Sequence, residues 1–358
     1  MTPEFQTLMQ RATQLTQSGD LHAATAAIQA ALGVQQATPH PVQRAANDAG
    51  PVTAVTDVAD VSDVIDVIDV ESRDVGTGSR FIAGSFATTS GKRDYKLFVP
   101  AGASDRPLPL IVMLHGCTQT PDDFAAGTAM NEMAQAHGCY VLYPAQSQQA
   151  NPQRCWNWFK HSHQQRGRGE PALIAGMTRQ VMEQHAVDPA RVYVAGLSAG
   201  GAMAAILGET YPDLFAAVGV HSGLAAGAAS DLPSAMAAMQ GNGRAMAETS
   251  ARVPTIVFHG DADSTVHPRN GEQVAAANAD AAIAPEVNPH DTPGKRRSTR
   301  HVHRDARGNV LAEHWVVHGA PHAWSGGSAR GSYTDARGPD ASAEMLRFFL
   351  EHPRRPSA

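Results

Sequence analysis

The sequence predicts an α/β protein built on a mostly parallel sheet with helices on both faces. Three observations carry that expectation. Short runs such as Leu110-Ile111-Val112-Met113-Leu114 are apolar throughout, as strands buried on both faces are. They alternate with segments of helical periodicity. A serine flanked by glycines stands between one such strand and a helix. The chain has 358 residues, 42% hydrophobic and 17% charged, which accommodates a large core and excludes collagen, coiled coil and wholesale disorder. Its net charge of −6 lacks the basic footprint of phosphate-backbone binding, so no nucleic-acid partner is expected. No apolar run approaches the ~18 residues that span a bilayer.

Residues 1–36 read as two short amphipathic helices. Phe5, Leu8, Met9, Ala12 and Leu15 precede Ser18-Gly19-Asp20, and Leu21, Ala24, Ile28 and Leu32 follow it. Isolated helices of this length are marginal, so the pair is read either as a docking or oligomerisation element or as an appendage. The N-terminus lacks the basic start and continuous apolar stretch of a secretory signal, which favours a cytoplasmic location. Residues 37–79 change in composition: Asp57, Asp60, Asp63, Asp66 and Asp69 recur every third residue, each followed by valine. A period of three fits neither helix nor pleat, so this segment is expected to be a disordered acidic linker.

Residues 80–352 form the expected catalytic domain. Strands are predicted over 95–99, 110–114, 139–143, 191–195, 217–220 and 255–259, and helices over 128–137, 171–185, 199–209, 272–277 and 340–350. Residues 299–304 and 310–317 read as a hairpin across Ala306-Arg307-Gly308-Asn309. In open sheets of this class the chemistry lies in loops beyond the carboxyl ends of the strands.

One such loop is Gly196-Leu197-Ser198-Ala199-Gly200-Gly201, a nucleophile elbow of the form G-x-S-x-G that occurs once in the chain. The sharp turn from strand to helix strains the serine, and glycines at the flanking positions remove side chains that would clash. A serine hydroxyl is a weak nucleophile, so it needs a histidine base oriented by a carboxylate, in the chain order Ser, acid, His. Gly260-Asp261-Ala262-Asp263 offers two carboxylates at a strand end, of which Asp263 is chosen because it has cleared the Gly260 turn. His322 is the expected base, aimed by the short loop 319–327 after an apolar strand. The amides of Ala199 and Cys117 are the expected oxyanion donors. His314 and His318 have the i, i+4 spacing of zinc ligands but fall on a strand, and no metal or organic cofactor is expected.

Four segments, Leu114-His115-Gly116-Cys117-Thr118-Gln119, Arg154-Cys155-Trp156-Asn157-Trp158-Phe159, the elbow, and Pro321-His322-Ala323-Trp324, resemble the polyhydroxybutyrate (PHB) depolymerase family of esterases, related to feruloyl and acetylxylan esterases. The resemblance covers roughly residues 80 to 350. It implies an α/β-hydrolase fold and a serine esterase that hydrolyses short-chain 3-hydroxybutyrate esters or oligomers through an acyl-enzyme, with Ser198, Asp263 and His322 as its triad. A feruloyl- or acetylxylan-type carbohydrate esterase is the alternative within enzymes, and an inactive granule- or partner-binding module the alternative outside them. By analogy with disulfide-bearing relatives, Cys117 and Cys155 would bridge and brace the oxyanion loop. His115, Trp156 and Trp324 are candidate substrate contacts, and residues 225–251, with Met236, Met239 and Met246, read as a pliable lid, a core helix or a surface insertion. Many family members are extracellular, the alternative location. The chain stops shortly after its last helix, so soluble oligomers, amorphous granules or small esters are the expected substrates, with the N-terminal helices as a granule-docking element.

Overall fold

The computed structural model describes residues 70–74, 78–88, 91–103, 106–243 and 253–354. The two helices expected over residues 1–36 and the aspartate–valine repeat lie outside these residues, as does Met246.

The sheet is built around β4 (Leu108–Leu114), every residue of which is buried. Alternate side chains serve opposite layers: Leu110, Val112 and Leu114 join one core, Ile111 and Met113 the other. The same alternation runs through β6 (Val187–Leu197), where Val192 and Val194 face one way and Tyr193 and Ala195 the other. With β5 (Tyr140–Pro144), β7 (Ala217–His221), β8 (Thr255–Gly260) and β11 (Val310–Val317), these strands form a parallel block in the order β5-β4-β6-β7-β8-β11. Their continuous apolar sequences are what two-sided burial requires.

Antiparallel strands extend both ends of the block: β1 (Val70–Asp74), β2 (Arg80–Thr88) and β3 (Gly91–Val99) beyond β5, β10 (Ser298–Arg304) and β9 (Glu286–His290) beyond β11. The hairpin of β10 and β11 pairs His301 with His314. β1 corrects the expected linker, which was bounded at residue 79. Val70–Asp74 pairs with β2 through Val70↔Ala83 and Asp74↔Arg80, and backbone pairing to a partner strand leaves no periodic trace in the sequence that supplies it. β9 also went unread because Pro289 argues against a strand; at the sheet edge its missing N–H costs no ladder bond.

Two helical layers cover the sheet. On one side α3 (Gly169–Gln184) and α4 (Ala199–Thr210) bury Ile174, Met177, Met203, Ile206 and Leu207. On the other lie α1 (Pro121–Thr128), α2 (Met130–His137) and α7 (Ala341–Glu351), burying Phe124, Met130, Met345, Leu346 and Phe349. The helix expected over 128–137 is α2, which starts at Met130; α1 before it was not expected, and Ala129, at a left-handed φ of 52°, separates the two. Thr120 caps α1 by accepting the Asp123 N–H, with Pro121 in the first turn. α5 (Leu232–Ala237) lies in the segment read as a lid, and α6 (Arg269–Asn278) follows β8. Among the described residues no helix is long and apolar enough to cross a membrane.

Candidate active site

The carboxyl ends of the parallel strands lie in one row: Leu114 is registered with Gly196, Leu197 with His221, His221 with Phe258, and Gly260 with Val317. The loops that leave these ends carry the residues predicted to do the chemistry.

Ser198 sits between β6 and α4 at φ 58° and ψ −120°, a conformation that costs a non-glycine residue ~1–3 kcal/mol and is tolerated where the surroundings enforce it. The enforcement comes from close backbone packing. A Cβ at Gly200 would stand 2.0 Å from the Leu114 carbonyl oxygen, and one at Gly196 would stand 2.4 Å from the Gly200 carbonyl. The Ser198 N–H donates to the His221 carbonyl at 2.9 Å. Ala199 opens α4, so its amide belongs to the first-turn donors that a helix leaves without an intrahelical acceptor.

Asp263 and His322 meet beyond β8 and β11: His322 Nδ1 donates to Asp263 Oδ2 at 2.7 Å. The other carboxylate oxygen accepts the Thr265 and Val266 amides, each at 2.9 Å. Burial pushes the Asp263 carboxyl up, but hydrogen bonds from His259 and His322 and from the Val266 amide outweigh it and hold the group well below the usual carboxylate range. Asp261, the other carboxylate of this turn, is turned outward. It accepts from His318 Nδ1 at 2.9 Å and from the Gly319 amide at 2.6 Å. His318 Nε2 is in turn 2.9 Å from Thr299 Oγ1, and His314 is buried within β11, so the i, i+4 pair does not converge.

Several residues that the sequence did not single out hold these loops in place. His221, at the end of β7, receives Ser198 N–H on its carbonyl and Ser325 N–H on Nε2, at 2.9 Å each, so the Ser198 turn and the His322 loop meet across one residue. Its ring stacks on Trp324 with centroids 5.0 Å apart. Gln119 Oε1 accepts the Gly116 amide at 2.9 Å and shapes the turn that presents Cys117. Glu170 is buried and ties down the segment around Trp156: it accepts Asn157 N–H and Nδ2–H at 2.7 Å each, and Gln146 Nε2–H. Burial pushes Glu170 up, and the bonds from His163, Gln146 and Asn157 bring it below its ordinary value. Apart from the bond between Gln119 and Gly116, this scaffolding connects residues well separated in sequence, which is why their pairing was not legible there.

Cys117 and Cys155 form a disulfide, with Cα atoms 4.2 Å apart and a sequence separation of 38. Closing a loop of that length stabilises a fold by about 4 kcal/mol in the chain-entropy picture. His115, Trp156 and Trp324, expected as substrate contacts, are each 1% exposed, and this corrects their role. Trp156 Nε1 donates to the His115 carbonyl at 3.1 Å and Trp324 Nε1 to Ser342 Oγ at 3.0 Å, while His115 Nε2 accepts the Gln146 amide. Large amphipathic rings with a satisfied N–H are spent on packing the walls behind the site rather than on its surface. In the segment read as a lid, Met239 packs against the core and Met236 is exposed.

The buried histidines carry a consequence for stability. Burial pulls His115 down to about 4, against the hydrogen bond to Gly116, and pulls His314 down to about 3. Burial first, then the nearby His259 and His322, hold His221 well below its ordinary value. In the unfolded chain these rings titrate near 6.5. Above that pH both states are neutral and the contribution is present in full; as pH falls toward 4 only the unfolded chain takes up protons, and stability is lost. His115 alone accounts for about 3 kcal/mol of that loss. Urea midpoints at pH 7, 5.5 and 4 are expected to fall progressively, and His115→Gln to flatten the slope. A wild-type midpoint unchanged at pH 4 would refute the buried-neutral assignment.

Residues 93–298 match the family model described as Esterase PHB depolymerase. The chain is 31% identical over 252 residues to poly(3-hydroxyalkanoate) depolymerase C of Paucimonas lemoignei, covering 66% of this chain and 60% of that protein. It is 29% identical over 196 residues to probable acetylxylan esterase A of Aspergillus clavatus, covering 49% and 62%. Feruloyl esterase B of Thermothelomyces thermophilus is 31% identical over 196 residues, 49% of this chain and 66% of that one. The chain thus spans about three fifths of the length of the first two relatives. Among solved structures, an acetyl xylan esterase from Aspergillus awamori superposes with a TM-score of 0.59 at 20% identity, over 72% of this chain and 94% of its own. That likeness speaks for the α/β-hydrolase fold.

Proposed function

Because the chain belongs to the PHB depolymerase family of esterases, we propose that it is a serine carboxylic ester hydrolase acting on short-chain 3-hydroxyalkanoate esters or oligomers. The observation that carries the reading is the Asp263–His322 hydrogen bond of 2.7 Å on a loop joined through His221 to the strained elbow of Ser198. In the proposed reaction the Ser198 hydroxyl oxygen attacks the ester carbonyl carbon while His322 Nε2 takes its proton. Asp263, ionised and holding Nδ1–H, fixes the tautomer and stabilises the imidazolium. The Cys117 and Ala199 amides receive the negative oxygen of the tetrahedral intermediate. Its collapse expels the alcohol, protonated by His322, and leaves an acyl-serine. A water deprotonated by His322 then attacks that acyl group, and the second tetrahedral intermediate collapses by breaking its bond to Ser198 Oγ, which takes the proton back from His322 as the acid is released.

The disulfide supports the oxyanion part of this reading, since it anchors the Cys117 turn to the Trp156 segment. The names of the acetylxylan and feruloyl esterase relatives favour a carbohydrate ester as the second reading. The deciding measurement compares hydrolysis of a linear 3-hydroxybutyrate trimer, acetylated xylan, methyl ferulate and p-nitrophenyl butyrate. Cleavage of the trimer at the highest kcat/KM among the natural-type esters is expected. Preference for acetylated xylan or ferulate would replace the substrate class while leaving the mechanism. Failure to cleave any ester, with Ser198 unreactive toward a fluorophosphonate, would favour a binding protein on an inactive hydrolase fold.

A further inference from the structure

We infer that Tyr333 is a specificity-determining residue, a platform for the part of an ester substrate that continues past the reacting carbonyl. The inference rests on the esterase reading and deepens it. Tyr333 is 48% exposed, and among the described residues only Leu232, Met236 and Val287 share its standing as large hydrophobic side chains left open to solvent. Unlike an idle surface residue, it is pinned from several directions. Its φ of 51° is a left-handed conformation that a bulky side chain rarely adopts, and such backbone persists only where the surroundings impose it.

The imposing contacts come from the two loops that carry the chemistry. The Tyr333 carbonyl accepts the Trp324 amide at 2.7 Å, two residues beyond His322. Thr334 and Asp335, immediately after it, form β13 and pair in parallel with Trp324 and Ser325 of β12. Ser332, immediately before it, donates its amide to Asp123 Oδ1 at 2.9 Å, and its carbonyl accepts from Gln119 Nε2 at 3.2 Å. Gln119 is the side chain that shapes the Cys117 turn. The phenol hydroxyl lies 3.3 Å from Thr118 Oγ1, one residue from Cys117. Since the Thr118 hydroxyl already gives its proton to the Cys117 carbonyl at 2.6 Å, the phenol is the donor in that pair.

Tyr333 therefore stretches from the base loop to the oxyanion turn, with its hydroxyl engaged and its ring open to solvent. An aromatic ring so fixed offers an apolar face at little cost in conformational freedom, suited to the alkyl portion of a chain that extends beyond a two-carbon acyl group. On this inference a two-carbon acyl group held at Ser198 stops short of the ring and a longer one lies along it. Contact made only by longer substrates appears as discrimination in kcat/KM between them and the short ester.

The test measures kcat/KM for p-nitrophenyl hexanoate and p-nitrophenyl acetate with wild type, Tyr333→Ala and Tyr333→Phe. The hexanoate-to-acetate ratio is expected to fall at least tenfold in Tyr333→Ala and to stay within threefold of wild type in Tyr333→Phe, which keeps the ring and loses only the hydroxyl contact. A ratio unchanged in Tyr333→Ala overturns the inference. This includes the case in which both rates fall together, which would make Tyr333 a structural support of the oxyanion turn. Wild type alone identifies a failure of the underlying reading: if it cleaves neither ester, the esterase assignment falls and this inference with it. If it cleaves both p-nitrophenyl esters but no hydroxybutyrate trimer, only the natural substrate class is wrong and the ratio still decides.

Discussion

Ser198→Ala is expected to lower kcat toward p-nitrophenyl butyrate by at least about 10⁴-fold while leaving the fold intact. The proposed acyl-enzyme needs an oxygen nucleophile, and nothing else at the elbow can supply one: Gly196, Leu197, Ala199, Gly200 and Gly201 carry no hydroxyl. Residual rate would come from the Cys117 and Ala199 amides acting on a water attack, because an oxyanion site stabilises that transition state too. Alanine keeps the same steric demand at φ 58°, so the substitution neither relieves nor adds backbone strain. If Ser198 and His322 are nucleophile and base, removing His322 as well adds little, because the two then act as a unit. Steady-state rates for Ser198→Ala, His322→Ala and the double variant check this directly. A single variant retaining more than about 1% of wild-type kcat, with contamination excluded by active-site titration, would place the nucleophile elsewhere.

Gly200→Ala is expected to be the most damaging single methyl addition in the elbow, destabilising the protein by more than about 4 kcal/mol or preventing soluble expression. The added Cβ would stand 2.0 Å from the Leu114 oxygen and 2.6 Å from the His115 oxygen. Both obstacles are main chain at the end of a fully buried central strand, so no side-chain rotation can make room. Either α4 lifts from the sheet, exposing Met203, Ile206 and Leu207, or β4 shifts and carries the Cys117 turn with it. Thermal melting and urea unfolding of the purified variant measure the first outcome, and kcat of any folded fraction measures the second. A variant that melts within a few degrees of wild type would mean that this close approach of helix and strand is not required.

Much of the fold was legible because the parallel strands announce themselves. A run such as 110–114 has no polar residue to expose, and 256–258 reads the same way, as does 192–195 apart from its buried tyrosine. The elbow was legible for a related reason: a backbone turn this tight admits only glycine at particular offsets, so the geometry is written as residue identity. Choosing between Asp261 and Asp263 was harder, and the structure shows the physical basis of the difference. Asp263 is drawn under the turn by the Thr265 and Val266 amides, whereas Asp261 stays at the surface with His318.

Other features were hidden. The edge strands β1 and β9, and β2 beside β1, lack the apolar runs of the centre, and hydrogen bonding to a neighbour imposes no composition on them. Trp156 and Trp324 stand in motifs near the site, and proximity in sequence suggested contact with substrate. Their rings instead face inward, where Ser342 and the His115 carbonyl satisfy the indole N–H groups. His221, Glu170 and Tyr333 lie in no motif, since each acts through partners tens to hundreds of residues away; Gln119 closes the first of the four motif segments, but its role in the turn shows only in its bond to the Gly116 amide.

By itself, then, the sequence determined the buried parallel strands, the elbow, and the residue types able to perform acyl transfer, because local backbone geometry and two-sided burial constrain identity position by position. Only the tertiary structure decided which carboxylate meets His322, how His221 links the two loops, that Cys117 and Cys155 close a ring, and that the exposed Tyr333 reaches from the His322 loop to the Cys117 turn. Those relations are distances between side chains on separate elements. They are set by how the layers pack, and packing is a property of the whole chain that no single segment encodes.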